Sequence, residues 1–166
     1  MRVAVNISYN GRNFSGFQYQ HDFRTVQGTI EKQLKRMHKE FTRIHASSRT
    51  DAGVHALEQY FHFDTPIDIP PEKWKFILNR AMPDDILIND VQIAADDFHS
   101  RFDAAGKTYR YKVYTGTKNP FYDGLKTHYP YNLNIAAMEQ AMLPFIGTHD
   151  FTTFSSAKGE IKNKVR

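Results

Sequence analysis

One short stretch of the sequence combines side chains that could do chemistry: Ser47-Ser48-Arg49-Thr50-Asp51-Ala52-Gly53-Val54-His55-Ala56. It places a carboxylate close to a guanidinium, and its small residues Ala52 and Gly53 allow a backbone to approach a ligand closely. Strand-like segments flank it, so it reads as a loop on which a rigid scaffold can present a reactive side chain. The same residues also make ordinary turn chemistry, with Asp and Gly in the turn and Arg49 exposed. A second stretch, Lys107-Thr108-Tyr109-Arg110-Tyr111-Lys112-Val113-Tyr114, alternates with period two. As a strand it puts Tyr109, Tyr111 and Val113 on one face. Tyr109 then serves either as a core aromatic or as a surface on which a base stacks, and Tyr111 reads as core.

Several other chemistries are excluded. There is no cysteine, hence no disulfide framework, thiolate nucleophile, zinc ribbon or iron–sulfur cluster. Gly11-Arg12-Asn13-Phe14-Ser15-Gly16 has the glycine spacing of a phosphate-binding loop, but Phe17-Gln18 follows instead of Lys-Ser/Thr. No dinucleotide-binding glycine pattern is present. The eight histidines form no close helical pair, and Ser47 and Ser48 have no nucleophile-elbow context. Chemistry without metal or cofactor is what remains. The net charge of +4 is compatible with a nucleic-acid partner without requiring one. The apolar run at Met1–Val5 meets Asn6 too soon for a signal peptide or a membrane span, so a soluble cytoplasmic protein is expected, with no membrane partner.

The elements that must position these residues follow from periodicity. Val3–Tyr9 reads as a strand ended by Asn10-Gly11. Thr25 can cap a helix with Val26, Ile30, Leu34, Met37 and Phe41 on its apolar face. The opposite face carries Lys32, Lys35, Arg36 and Lys39, either a solvated stripe or a phosphate-contacting ridge. Strands are expected over Phe41–Ala46 and Gln59–Phe63, around the Asp51 loop. Pro70-Pro71 opens a second helix through Trp74, Ile77, Leu78 and Ala81, stopped by Pro83, and Ile86–Ile93 reads as a fourth strand. This order, β-α-β-β-α-β, is the ferredoxin-like plan of an α+β sheet with helices on one face. Beyond it, Ile135, Met138, Met142 and Phe145 suggest a third helix, and the tail from Lys158 to Arg166 is basic.

The run Arg49-Thr50-Asp51-Ala52-Gly53-Val54-His55-Ala56 resembles the active-site motif of the TruA family of tRNA pseudouridine synthases. Further matches follow in the family's order: Gly16-Phe17-Gln18, with Phe where the family has Trp; Thr25-Val26-Gln27; Phe98-His99-Ser100-Arg101-Phe102; Lys107-Thr108-Tyr109-Arg110-Tyr111; and Gly147-Thr148-His149-Asp150-Phe151. Ser48 stands where the family usually has Gly, a substitution that matters if the position needs positive φ or close approach of RNA.

The resemblance implies a pseudouridine synthase fold. A ferredoxin-like N-terminal half covers 1–103, and 104–166 begin a second half that is incomplete. It implies an enzyme that isomerises uridine to pseudouridine in the anticodon stem-loop of tRNA, needs no cofactor, and works as a homodimer. Asp51 falls on the family's catalytic aspartate, Tyr109 on the tyrosine that stacks on the target uracil, and Arg49 on a residue beside the extruded nucleotide. His55 and His99 are expected to make structural hydrogen bonds. The family's arginine partner of the catalytic aspartate has no match at Val165-Arg166, so the 166 residues alone are expected to be inactive or nearly so. A non-catalytic ferredoxin-like RNA-binding module, or an inactive fragment of the enzyme, is the alternative.

Overall fold

In the computed structural model, residues 1–155 and 163–165 are described, so the basic tail over 158–166 lies outside them apart from 163–165. The chain divides into two compact units, Met1–Arg110 and Tyr111–Arg166, and residues 104–110 cluster with the first. Within the first unit, β1 (Arg2–Tyr9), α1 (Val26–His38), β2 (His45–Ala46), β3 (Ala56–Asp64), α2 (Pro71–Ala81) and β4 (Ile86–Ala94) follow in chain order. The strands pair antiparallel in the spatial order β2-β3-β1-β4, the interleaved arrangement of the ferredoxin-like plan.

Alternation decides which face is dry. Val3, Val5 and Ile7 of β1 point to the helix side, with Phe63 opposite Val3 and Phe61 opposite Val5. Against them α1 lays Val26, Ile30 and Leu34, and α2 lays Trp74 and Leu78, all buried. The Trp74 indole meets Phe63 edge-on at 5.4 Å between centroids and stacks on His38 at 6.1 Å. The start of α1 is set by Thr25, whose hydroxyl accepts from the Gly28 amide at 3.2 Å. Its basic stripe, Lys32, Lys35, Arg36 and Lys39, is exposed.

Four expectations need correction. The strand expected over Phe41–Ala46 is only His45–Ala46. The amide of Ile44 is taken instead by the buried carboxylate of Glu31, at 3.1 Å, so the ladder to β3 cannot extend through it. Phe41 lies beyond the end of α1 and is exposed, because the helix stops at Lys39 in a left-handed conformation. The strand expected over Lys107–Tyr114 is reduced to β5 (Val113–Tyr114), and Tyr111, read as core, is 84% exposed. A strand needs a hydrogen-bonded ladder. Only Val113 and Tyr114 have one, parallel to β6 (Thr127–His128), so nothing imposes alternate burial on the rest of the run.

The second unit also holds α3 (Ile135–Met142), followed by a 3-10 turn over Leu143–Phe145. The helix forms where its period indicates, yet Ile135, Met138, Met142 and Phe145 are all exposed. Among the described residues of this unit none is buried. Among the described residues of the whole chain, no helix is long and apolar enough to cross a membrane.

After β4 the chain folds back over the sheet face opposite the helices. Arg2 pairs with Asp64 at 2.8 Å and also donates to the carbonyls of Asp96 (2.6 Å) and Phe98 (2.8 Å). Buried His62 accepts from the Ser100 amide at 3.2 Å and contacts its hydroxyl at 3.0 Å, while His45 stacks on it and His99 meets it edge-on. Burial, with added repulsion from Arg2, His45 and His99 that outweighs attraction by Asp64, lowers the His62 pKa to about 4. In the unfolded chain it titrates near 6.5, so the unfolded state binds the extra proton between those values. Stability from this group is therefore present above about pH 6.5 and lost as pH falls toward 4. Urea unfolding should show a midpoint that drops between pH 7 and pH 4.5, and a smaller drop in His62→Gln, which keeps a hydrogen bond available to Ser100. An equal drop in both proteins would remove His62 as the cause.

Candidate active site

The Asp51 loop joins β2 to β3 and is held mainly by main-chain contacts. Its partner is the segment after β1, which makes a 3-10 turn over Gly11–Asn13 and runs on to Phe17. The Phe17 amide donates to the Thr50 carbonyl at 2.9 Å, and the Gly53 amide to the Phe14 carbonyl at 3.2 Å. Two glycines make this approach possible. A β-carbon on Gly11 would lie 1.9 Å from the Val54 carbonyl oxygen, and Gly16, at φ +95°, passes so close that its β-carbon would be 3.0 Å from the Thr50 oxygen. The carbonyls of Gly16 and Phe17 in turn accept from the amides of Val26 and Gln27, which ties the loop's partner to the first turn of α1.

Side chains complete the mount. The amide group of Gln59, buried on β3, donates to the Ser48 carbonyl at 2.6 Å and accepts from the Ser47 hydroxyl at 2.7 Å. Ser48 is not among the residues with positive φ, so its β-carbon is accommodated without strain, and its hydroxyl also reaches Gln59 at 3.3 Å. The Tyr9 hydroxyl and the Thr50 hydroxyl are 2.7 Å apart. The Gly11 amide donates to His55 Nδ1 at 3.2 Å, and the Arg101 amide to His99 Nδ1 at 3.2 Å, so both histidines make the structural hydrogen bonds expected of them.

Asp51 is thereby presented outward. It is exposed, and among the described residues no hydrogen bond or ion pair engages its carboxylate. It lines an open recess of about 430 Å³ together with Ser15, Gly16, Phe17, Gln18, Gln20, Phe23, Arg49, Thr50 and Ala52. Arg49 shares the recess and is exposed, but it forms no ion pair with Asp51, which leaves both charges available to a ligand. Tyr109 is 74% exposed and is not among the recess-lining residues. It does lie within electrostatic range of Tyr9: burial raises the Tyr9 pKa, the Thr50 hydrogen bond opposes this, and the Tyr109 phenol adds a smaller upward push. Among the described residues no cluster of His, Asp or Glu could hold a metal ion.

Nothing in the sequence marks Tyr9 and Gln59 as supports of the loop. Both face inward on their strands, and a polar residue at such a position gives no local sign of the loop it supports.

A ferredoxin-like α+β domain with a carboxylate on the β2–β3 loop is thus the class of protein that fold and site define. The sequence model of a family described as tRNA pseudouridine synthase matches residues 6–103. The chain belongs to that family. Over its whole length it is 58% identical to proteins named tRNA pseudouridine synthase A from Staphylococcus saprophyticus and Staphylococcus carnosus, and 55% identical to one from Staphylococcus aureus. It spans 62% of the length of these curated relatives.

The glycine contacts generate a sharp expectation. Gly11→Ala must push the Val54 carbonyl away and loosen the loop from its partner. Amide hydrogen exchange at Phe17 and Gly53 should accelerate by roughly tenfold or more, equivalent to about 1.4 kcal/mol of lost protection, with core amides of β1 changed less. Unchanged exchange at both amides would show that the loop does not depend on this approach.

Proposed function

We propose that the chain carries the reacting carboxylate of a tRNA pseudouridine synthase, Asp51, and that the protein isomerises uridine to pseudouridine in the anticodon stem-loop of tRNA. The observation that carries the reading is the unpartnered carboxylate on a pinned loop at the wall of an open recess. Membership of the family and the name shared by the relatives support it.

In this reading a uridine is extruded from its stack into the recess. The ionised carboxylate of Asp51 attacks the sugar C1′ or the uracil ring, and the N1–C1′ bond breaks with its electron pair going to N1. The freed uracil turns while its face rests on the Tyr109 ring, since stacking tolerates rotation in the plane of the base. C5 then bonds to C1′, the carboxylate leaves, C5 gives up its proton, and N1 ends protonated. Alternatively the carboxylate removes the C2′ proton as N1 leaves with the electron pair of the N1–C1′ bond, giving a glycal. C5 then bonds to C1′ while the carboxyl returns that proton to C2′, and C5 loses its own proton as before. Both bonds belong to the substrate, so the isomerisation balances without a co-reactant. Arg49 contacts the RNA backbone beside the extruded nucleotide. On family likeness the proposal extends to a homodimer whose tRNA crosses both subunits, acting in the cytoplasm.

Loss of the C5 proton supplies the assay. In the full natural polypeptide bearing this sequence, tritium release from tRNA labelled at uridine C5 should fall by about 10³-fold or more in Asp51→Ala and Asp51→Asn. Affinity for tRNA should stay within about threefold, because the change removes chemistry rather than phosphate contacts. Appreciable release from Asp51→Ala would remove Asp51 from the reaction. RNA binding by the unaltered protein with no release would favour a non-catalytic binding module.

A further inference from the structure

Phe23 lines the recess with Asp51 and Arg49, and the reaction described above leaves it without a task. Its ring is 61% exposed, and among the described residues it enters no ring–ring contact. Yet its loop is firmly held. The Ser15 amide donates to the Arg24 carbonyl at 2.8 Å, Gln20 Nε2 to the Ser15 carbonyl at 2.7 Å, and the Tyr19 amide to Gln27 Oε1 at 3.0 Å. Next to it, Arg24 makes a two-pronged pair with Asp85 at 2.7 and 2.8 Å and lies over the Phe14 ring at 4.0 Å. Asp22, just before it, is held at φ 65°, a left-handed conformation uncommon outside glycine. A large apolar ring kept in water by a pinned loop gains nothing from burial within the chain.

The chemistry around the ring suits a nucleobase. Gln18 adds an amide that can donate and accept at base edges, the Gln20 carbonyl oxygen can accept while its nitrogen holds Ser15, and Arg49 adds a cation for phosphate. Extruding a uridine also strips its neighbour in the strand of one stacking partner. We infer that Phe23 is a stacking platform for the nucleobase adjacent to the uridine held at Asp51, an assignment that rests on the functional reading above. Stacking on the ring restores the contact the neighbour loses, and it holds the strand in register with the carboxylate.

The test uses the full natural polypeptide and a uridine-containing RNA stem-loop. Phe23→Ala should bind about 5- to 150-fold more weakly, the range for losing one base–aromatic stack. Phe23→Leu keeps apolar bulk without a ring face and should lose nearly as much, whereas Phe23→Trp should bind at least as well as the unaltered protein. Replacing the nucleotide on one side of the target uridine with an abasic residue should weaken the unaltered protein by a similar factor. The same replacement should cost Phe23→Ala less than about twofold, because the partner ring is already gone. Wild-type affinity in Phe23→Leu, or abasic losses that multiply with Phe23→Ala on both sides, would overturn the assignment while leaving the functional reading intact. Absence of RNA binding by the unaltered protein would overturn the functional reading and this assignment together.

Discussion

Two stretches of backbone, Gly11–Phe17 and Thr50–Val54, lie against each other with no room for a β-carbon at Gly11 and little at Gly16. The rest of the site depends on that approach. It fixes the carbonyl of Thr50, and with it the direction in which Asp51 leaves the loop. It also connects the loop to the first turn of α1, whose buried side chains belong to the main core. The carboxylate is thus anchored to the packed interior through a short path of amide–carbonyl bonds, which flex less than side chains do.

The two faces of the sheet divide the work. The helix side holds the apolar core and supplies the stability that keeps the mount rigid. The other side is polar, and the chain leaving β4 crosses it under the hold of Arg2 and His62. Arg2 begins β1 and Tyr9 ends it; the segment held by Arg2 and His62 crosses at the first end, and Tyr109, further along the chain, lies within electrostatic range of Tyr9 at the other. The anchoring of a polar sheet face thus precedes, in the chain, the placement of Tyr109.

Much of the first unit is legible from local signals. Thr25, the paired prolines Pro70 and Pro71 at the start of α2, and the period of Val26, Ile30 and Leu34 each state a preference that the packed structure keeps. What misleads is an alternating pattern with no account of its partner: Lys107–Tyr114 has the pattern of a strand, but only its last two residues find a ladder. The short β2 has a similar origin, since Glu31 claims the Ile44 amide from a position 13 residues away, beyond any local window. For the candidate site, the spacing of Asp51 and Arg49 also suits an ordinary turn, and it is the resemblance of the run Arg49–Ala56 to a known motif that sets them apart. Tyr9, Gln59 and Phe23 carry no such mark, because their surroundings arise from strands and loops brought together only by the fold.

The way the loop is mounted separates its support from its rim. Its hold comes from glycines, main-chain atoms and the inward-facing Gln59, while Arg49, Gln18, Gln20 and Phe23 line the recess without being part of that glycine-and-Gln59 hold. Exchanging a rim side chain therefore leaves the glycine-and-Gln59 hold on the Asp51 loop untouched. Strict steric constraint falls on the mount, at Gly11 and Gly16, and not on the rim.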